Sequence, residues 1–196
     1  MKTSRCAMLL IPIIFLLSCS TPYSVYTTDM FMGKKYLDET DYVQAKECFT
    51  KAFQADKNAA AAAFAATASY KLGDLPAAQR FIEEAEQLGG GHSFDGRYYP
   101  YLRIVGYKAL ILLKEQNEEI GVPTLSQYLQ AYKYVHSGPN VVGIEVMLRK
   151  KQFDLARLEA VIDEQVTGYE NDMDQFLRTG TGYYDRATRG NSAPGR

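Results

Sequence analysis

The 196-residue chain has no Trp, only two His and three Cys, and almost no net charge: 22 Lys+Arg face 23 Asp+Glu. Each scarcity removes a class of function. Two His leave little room for His-based catalysis or a multi-His metal site. A balanced charge argues against nucleic acid, whose binders carry a basic excess or patch. No apolar run is long enough for a polytopic membrane protein. What remains is 46% hydrophobic and holds 15 Tyr, enough for one domain with a real core.

The first twenty residues read as an address. Lys2 and Arg5 precede an apolar run from Ala7 to Leu17. About 20 apolar residues span a bilayer, so this run suits a secretory signal, not a mature transmembrane helix. It ends in Leu16-Leu17-Ser18-Cys19. That ending resembles the bacterial lipobox, with an aliphatic residue at −3 and a small residue before the Cys. The resemblance implies cleavage of 1–18 and acylation of Cys19 through its sulfur and its new amine. One acyl chain holds a membrane marginally, at about 0.8 kcal/mol per buried CH₂, and two or three hold it stably. The alternatives are an ordinary signal peptide cut elsewhere and a buried Cys in an N-terminal helix. Ser20, in place of Asp, resembles the outer-membrane destination of enteric-type lipoproteins. Cys6 leaves with the signal and Cys19 takes lipid, so Cys48 is left alone and no intramolecular disulfide forms. Stability then rests on packing.

Residues 19–28 are expected to be a lipidated polar tether and 29–178 a helical domain. Two stretches superpose at a period of 33: Asp41 on Asp74, Tyr42 on Leu75, Ala45 on Ala78, Phe49 on Ile82, Ala52 on Ala85. Apolar spacings of three and four predict helices over 29–39, 42–54, 58–72 and 75–88. Thr40-Asp41 and Gly73-Asp74 supply the turns, and Pro76 suits a first helical turn.

These residues resemble the tetratricopeptide repeat (TPR), whose period is about 34. Gly33, Tyr36, Ala45, Phe49 and Ala52 carry the likeness in the first repeat. Ala66, Gly73, Ala78, Ile82 and Ala85 carry it in the second. Lys57 and Gly90 stand where the family prefers Pro, and Ser69 where it prefers Tyr. The later half is more degenerate. Residues 89–93 predict a mobile loop. Helices follow over 101–115, 124–135, 140–151 and 154–165, with turns at Ile120–Pro123 and Ser137–Pro139. Leu158, Ile162, Val166, Tyr169, Met173 and Phe176 extend one apolar stripe, so the last helix is expected to reach Leu177 and cap the open end of the stack. The expected fold is all-α: a TPR-like α-solenoid of about four antiparallel helix pairs with a C-terminal capping helix. The Gly-, Arg-, Thr- and Ser-rich stretch 179–196 reads as a disordered tail.

Catalytic motifs fail on inspection. The glycine run before His92 lacks the Gly-Lys-Ser/Thr ending of a phosphate loop. Gly91-His92-Ser93-Phe94-Asp95 has Asp where a nucleophile elbow needs Gly. Asn171, Asp172 and Asp174 lack the spacing and central Gly of a calcium loop. Glu83, Glu84 and Glu86 read as a solvated face, and His92 and His136 as loop residues. No enzyme, cofactor, metal or small-molecule substrate is expected.

By the geometry of the resembled family, the first helix of each pair lines a concave groove. Lys34, Leu37, Thr67, Tyr70, Lys71, Arg103 and Tyr107 would face it. This mixture of cations and aromatic faces fits an extended or helical peptide of acidic character. The same residues fit a blander role, with Tyr70 and Tyr107 packed on neighbouring helices and the cations keeping the face soluble. Tyr98, Tyr99 and Tyr101 form a second aromatic cluster, either a contact patch or the start of the third pair's core. The resemblance implies an outer-membrane-anchored, periplasm-facing lipoprotein that holds another envelope protein, as a scaffold or assembly factor. The alternative is a structural spacer, or an accessory subunit of a cell-wall, pilus or secretion machine.

Overall fold

A computed structural model describes residues 22–90, 100–135 and 141–179. The signal segment, Cys19, His92, Tyr98, Tyr99, His136 and residues 180–196 lie outside them. The described residues form eight α-helices and no strand: α1 (Pro22–Asp38), α2 (Tyr42–Ala55), α3 (Ala59–Lys71), α4 (Leu75–Ala85), α5 (Tyr101–Lys114), α6 (Glu118–Val135), α7 (Val142–Lys150) and α8 (Leu155–Thr179). A π-helical turn, Glu86–Gly90, follows α4. The chain is all-helical in these parts, as its apolar spacings predict.

Neighbouring helices pack in chain order through α6, and α3 and α5 also meet directly. Short turns of one kind join the pairs. Thr40, Gly73, Gln116 and Lys151 all take positive φ, at 60°, 77°, 60° and 51°. In all four turns the next residue's N–H donates back to a carbonyl five residues earlier, as from Asp41 to Tyr36 and from Asp74 to Ser69. Asp41 and Asp74 then cap the following helices, accepting from the N–H of Gln44 and Ala77. The left-handed residue ends one helix while the cap starts the next.

Small residues set the helix spacing. A Cβ on Gly33 would stand 2.5 Å from the Phe49 ring, so α1 and α2 touch only because residue 33 has no side chain. Phe49 in turn stacks on Phe64 of α3, with centroids 5.0 Å apart. The Ala-rich α3 is buried on every side from Ala61 to Tyr70. A helix apolar all round belongs at the centre of a stack, and its Ala side chains let neighbours approach closely.

Three expectations are corrected. The tether does not run to residue 28: helix begins at Pro22, because Tyr26, Met30, Gly33 and Leu37 already form a stripe toward the core. Pro22 costs little there, since the first N–H groups of a helix have no partner inside it. Ile120–Pro123 is not a turn but the first part of α6, and the turn is Gln116-Asn117. Pro123 is tolerated because it removes only the bond to the carbonyl of Glu119, an exposed residue in the first turn. Finally, α8 runs on to Thr179, but it does not sit as a cap on the end of the stack. It lies across the face made by α1, α3 and α5.

Candidate functional site

That face is where the residues of the expected groove come together. Lys34 and Leu37 come from α1, Thr67, Tyr70 and Lys71 from α3, and Arg103 and Tyr107 from α5. On each helix these residues span three or four positions, about one turn, which puts them on one side of it. Leu37, Thr67, Lys71, Arg103 and Tyr107 line one cleft of about 130 Å³, closed from the other side by Asp163 and Thr167 of α8. Lys34 lies further along the same face.

The cations are all engaged by carboxylates of α8. Lys34 Nζ donates to Asp174 at 3.3 Å. Lys71 Nζ donates to Glu159 at 2.5 Å and also to Asp163. Arg103 forms a two-pronged pair with Glu170, Nε to Oε1 at 2.8 Å and Nη2 to Oε2 at 2.7 Å. Its Nη1 donates to the Thr67 hydroxyl at 3.1 Å, which itself donates to the carbonyl of Ala63. The guanidinium lies 4.1 Å from the centre of the Phe64 ring. The Tyr107 hydroxyl donates to Asp163, and the Tyr128 hydroxyl of α6 donates to Gln165 at 2.8 Å.

Burial differs sharply along this seam. Arg103 is 3% exposed and Glu170 4%. Burial opposes the Arg103 charge, yet the Glu170 carboxylate outweighs it and holds the proton above the ordinary guanidinium range. Burial also pushes the Tyr107 hydroxyl well up, with Asp163 adding to it. For Lys71, burial pulls down but the hydrogen bonds to Asp163 and Glu159 win, and its pKa is raised. Tyr70 is buried and meets Tyr107 edge-on, with centroids 5.5 Å apart.

Between the ion pairs lies an apolar seam. Leu158, Ile162, Val166, Tyr169 and Met173 of α8 are all buried. A Cβ on Gly106 of α5 would come within 2.8 Å of Ile162 and 3.1 Å of Tyr128, so α5, α6 and α8 converge at that glycine. Tyr101 belongs to the core and its hydroxyl accepts from Gln127 at 3.1 Å.

Tyr70 and Tyr107 therefore pack inside the protein rather than waiting at an open surface. The apolar stripe of α8 does not by itself point to the carboxylates that meet the cations, and Asp174, weighed above as a calcium ligand, instead accepts from Lys34. A signal was present. Glu159, Asp163, Glu170 and Asp174 are spaced i, i+4, i+11, i+15, the helical period that places them on one face. No group of three or more His, Cys, Asp or Glu among the described residues is placed to hold a metal ion. No helix among the described residues is long and apolar enough to cross a membrane. Comparison with protein-family models, curated proteins and solved structures finds no match.

Proposed function

We propose that this chain is a lipid-anchored TPR-like scaffold that holds another protein at the bacterial cell envelope, facing the periplasm from the outer membrane. The observation that carries this reading is the composition of the α1–α3–α5 face. Each of these helices offers one cation, Lys34, Lys71 and Arg103, and together they engage the acidic side of a helix. Such a face recognises a polypeptide by charge and shape and does no chemistry on it. The recurring turn at Thr40, Gly73 and Gln116 supports the finer architecture, a solenoid built on the pairs α1–α2, α3–α4 and α5–α6, while α8 leaves its like turn at Lys151 to pack on α5 instead of pairing with α7.

If Cys19 is the acylated residue, α1 begins only three residues later. The domain then stands close against the bilayer and not on a long tether. Incorporation of labelled palmitate, and its loss in Cys19→Ser together with release from the membrane fraction, tests the anchor.

The scaffold is tested by in-cell photo-crosslinking from Leu37, at the cleft, and from Val43, which is 60% exposed. One dominant protein adduct is expected. The filled face favours a second reading, a structural spacer that needs only stability and an anchor. No adduct from either position, with the acylated protein abundant in the membrane, would establish the spacer.

A further inference from the structure

Three features of the α8 seam point beyond a simple closing helix. The first is that recognition is by charge at regular intervals. Glu159, Asp163, Glu170 and Asp174 meet one cation from each of three alternate helices, α1, α3 and α5. Partly exposed ion pairs are each worth roughly 0–1 kcal/mol, so most of this pattern selects an orientation and register more than it adds stability.

The second feature is graded sealing. Only the Arg103–Glu170 pair is shut off from water, at 3% and 5% side-chain exposure. The Lys34–Asp174 pair at one end is 34% and 35% exposed. Beyond it the face opens into a groove of about 1160 Å³, whose lining includes Phe31, Lys34, Lys35 and Asp38 of α1, the adjoining Glu39, and Arg178 of α8. Phe31 there is 69% exposed. The groove balances Lys34, Lys35 and Arg178 against Asp38, Glu39 and Asp174 around the exposed ring of Phe31, which gives a second helix an apolar first contact beside the end of the α8 seam.

The third feature is the connection. α8 is joined to α7 by Lys151–Asp154, with Lys151 left-handed at φ 51°. The joint adjoins the less exposed end of the seam, the Lys71–Glu159 pair, and the more exposed Lys34–Asp174 pair lies at the far end of α8.

We propose that α8 is an exchangeable occupant of the α1–α3–α5 face, and that the partner binds there through an acidic amphipathic helix that takes its place. The incoming helix engages Phe31, Lys34 and Lys35 first and advances as α8 peels from its Asp174 end. It carries apolar residues spaced like Leu158, Ile162, Val166, Tyr169 and Met173. Its carboxylates match the spacing of Glu159, Asp163, Glu170 and Asp174. This inference rests on the scaffold reading above.

The test uses the full chain and a labelled synthetic peptide of residues 155–179. Hydrogen exchange on the full chain should show α8 amides opening well before those of α3 and α5. The peptide should bind the wild-type chain, and bind Ile162→Glu, whose resident helix is weakened, about tenfold or more tighter. Adding Lys34→Glu and Lys71→Glu should reverse that gain, and a peptide with Glu159 and Asp163 replaced by Lys should restore it.

Exchange of α8 only with global unfolding would overturn the proposal. So would failure of the peptide to bind a helical Ile162→Glu chain, or equal binding of the Lys-substituted peptide to the unmodified face. A locked α8, with a cellular adduct still formed from Val43, would remove this inference and leave the scaffold reading standing.

Discussion

Arg103 and Glu170, 67 residues apart in sequence, form a two-pronged ion pair inside the protein, with Thr67 and Phe64 completing the shell around the guanidinium. The pair joins the middle of the helical stack to the last helix. Removing one partner leaves a buried charge without compensation. Arg103→Ala is expected to cost about 3–5 kcal/mol, whereas a paired apolar replacement such as Arg103→Met with Glu170→Leu should recover most of it. Urea denaturation of the two single variants and the double variant measures this. Equal losses in single and double variants would show that the pair contributes nothing beyond its packing.

The close approaches at Gly33 and Gly106 give a second expectation. A methyl at residue 33 meets the Phe49 ring, which is already stacked on Phe64. A methyl at 106 meets Ile162 and Tyr128. Each Gly→Ala change should therefore destabilise by about 1–3 kcal/mol, although Ala is the better helix former. Gly143 and Gly168 have open space around the same position. Gly→Ala there should stabilise, and thermal melts of the four variants would separate packing from propensity.

The repeated turn permits an exchange. Thr40, a β-branched residue, holds φ 60° where Gly73 holds 77° in the equivalent turn. Left-handed backbone costs an ordinary L-residue about 1–2 kcal/mol, and Gly avoids most of that. Thr40→Gly should raise stability by up to about 1 kcal/mol, and Gly73→Thr should lower it by a similar amount or more. Nothing lies within 4 Å of a Cβ at Gly73, so a clash would not explain the loss.

Alkaline pH should loosen the α8 seam. Burial, the largest cause, raises the Tyr70 and Tyr107 hydroxyls, and Glu159 and Asp163 raise them further. Lys71 is raised against its burial by its hydrogen bonds to Asp163 and Glu159. A group whose pKa is raised by folding contributes stability that is whole below its unfolded value and lost as pH climbs through its folded value. These contributions should hold to about pH 10 and fade above it. Ultraviolet titration should show Tyr70, Tyr107 and Tyr128 ionising later than a free tyrosine does. Early ionisation of the Tyr107 ring, read in Tyr107→Phe against wild type, would contradict the hydrogen bond to Asp163.

Much of the fold was legible because helices are written locally. The caps Asp41 and Asp74, the breaker Gly73 and the small residues Gly33, Ala45, Ala78 and Gly106 act on neighbours within one or two turns of helix. Their spacing therefore predicts six of the eight helices to within a few residues. The errors arose where a local signal was outvoted. Thr27 and Thr28 look like tether residues, but Tyr26 and Met30 gain enough by packing to carry the helix back to Pro22. Gly121 and Pro123 look like breakers, but both fit the first turns of α6, where Gly121 lets α6 approach Leu113.

The sequence by itself determined that the chain is helical and that the last helix carries a long apolar stripe, and its resemblance to a repeat family implied a shared face for the cations of α1, α3 and α5. Those properties depend on residues near one another in the chain. Only the tertiary structure decided where the stripe goes. Capping the end of the stack and covering its inner face both bury Leu158, Ile162, Val166, Tyr169 and Met173, so hydrophobic burial alone does not choose between them. The choice falls to the carboxylates beside the stripe, which must find Lys71, Arg103 and Lys34 across 67 to 140 residues of chain. A charge left unpaired in a buried seam costs several kcal/mol, so the placement that pairs Glu170 with Arg103 excludes the other.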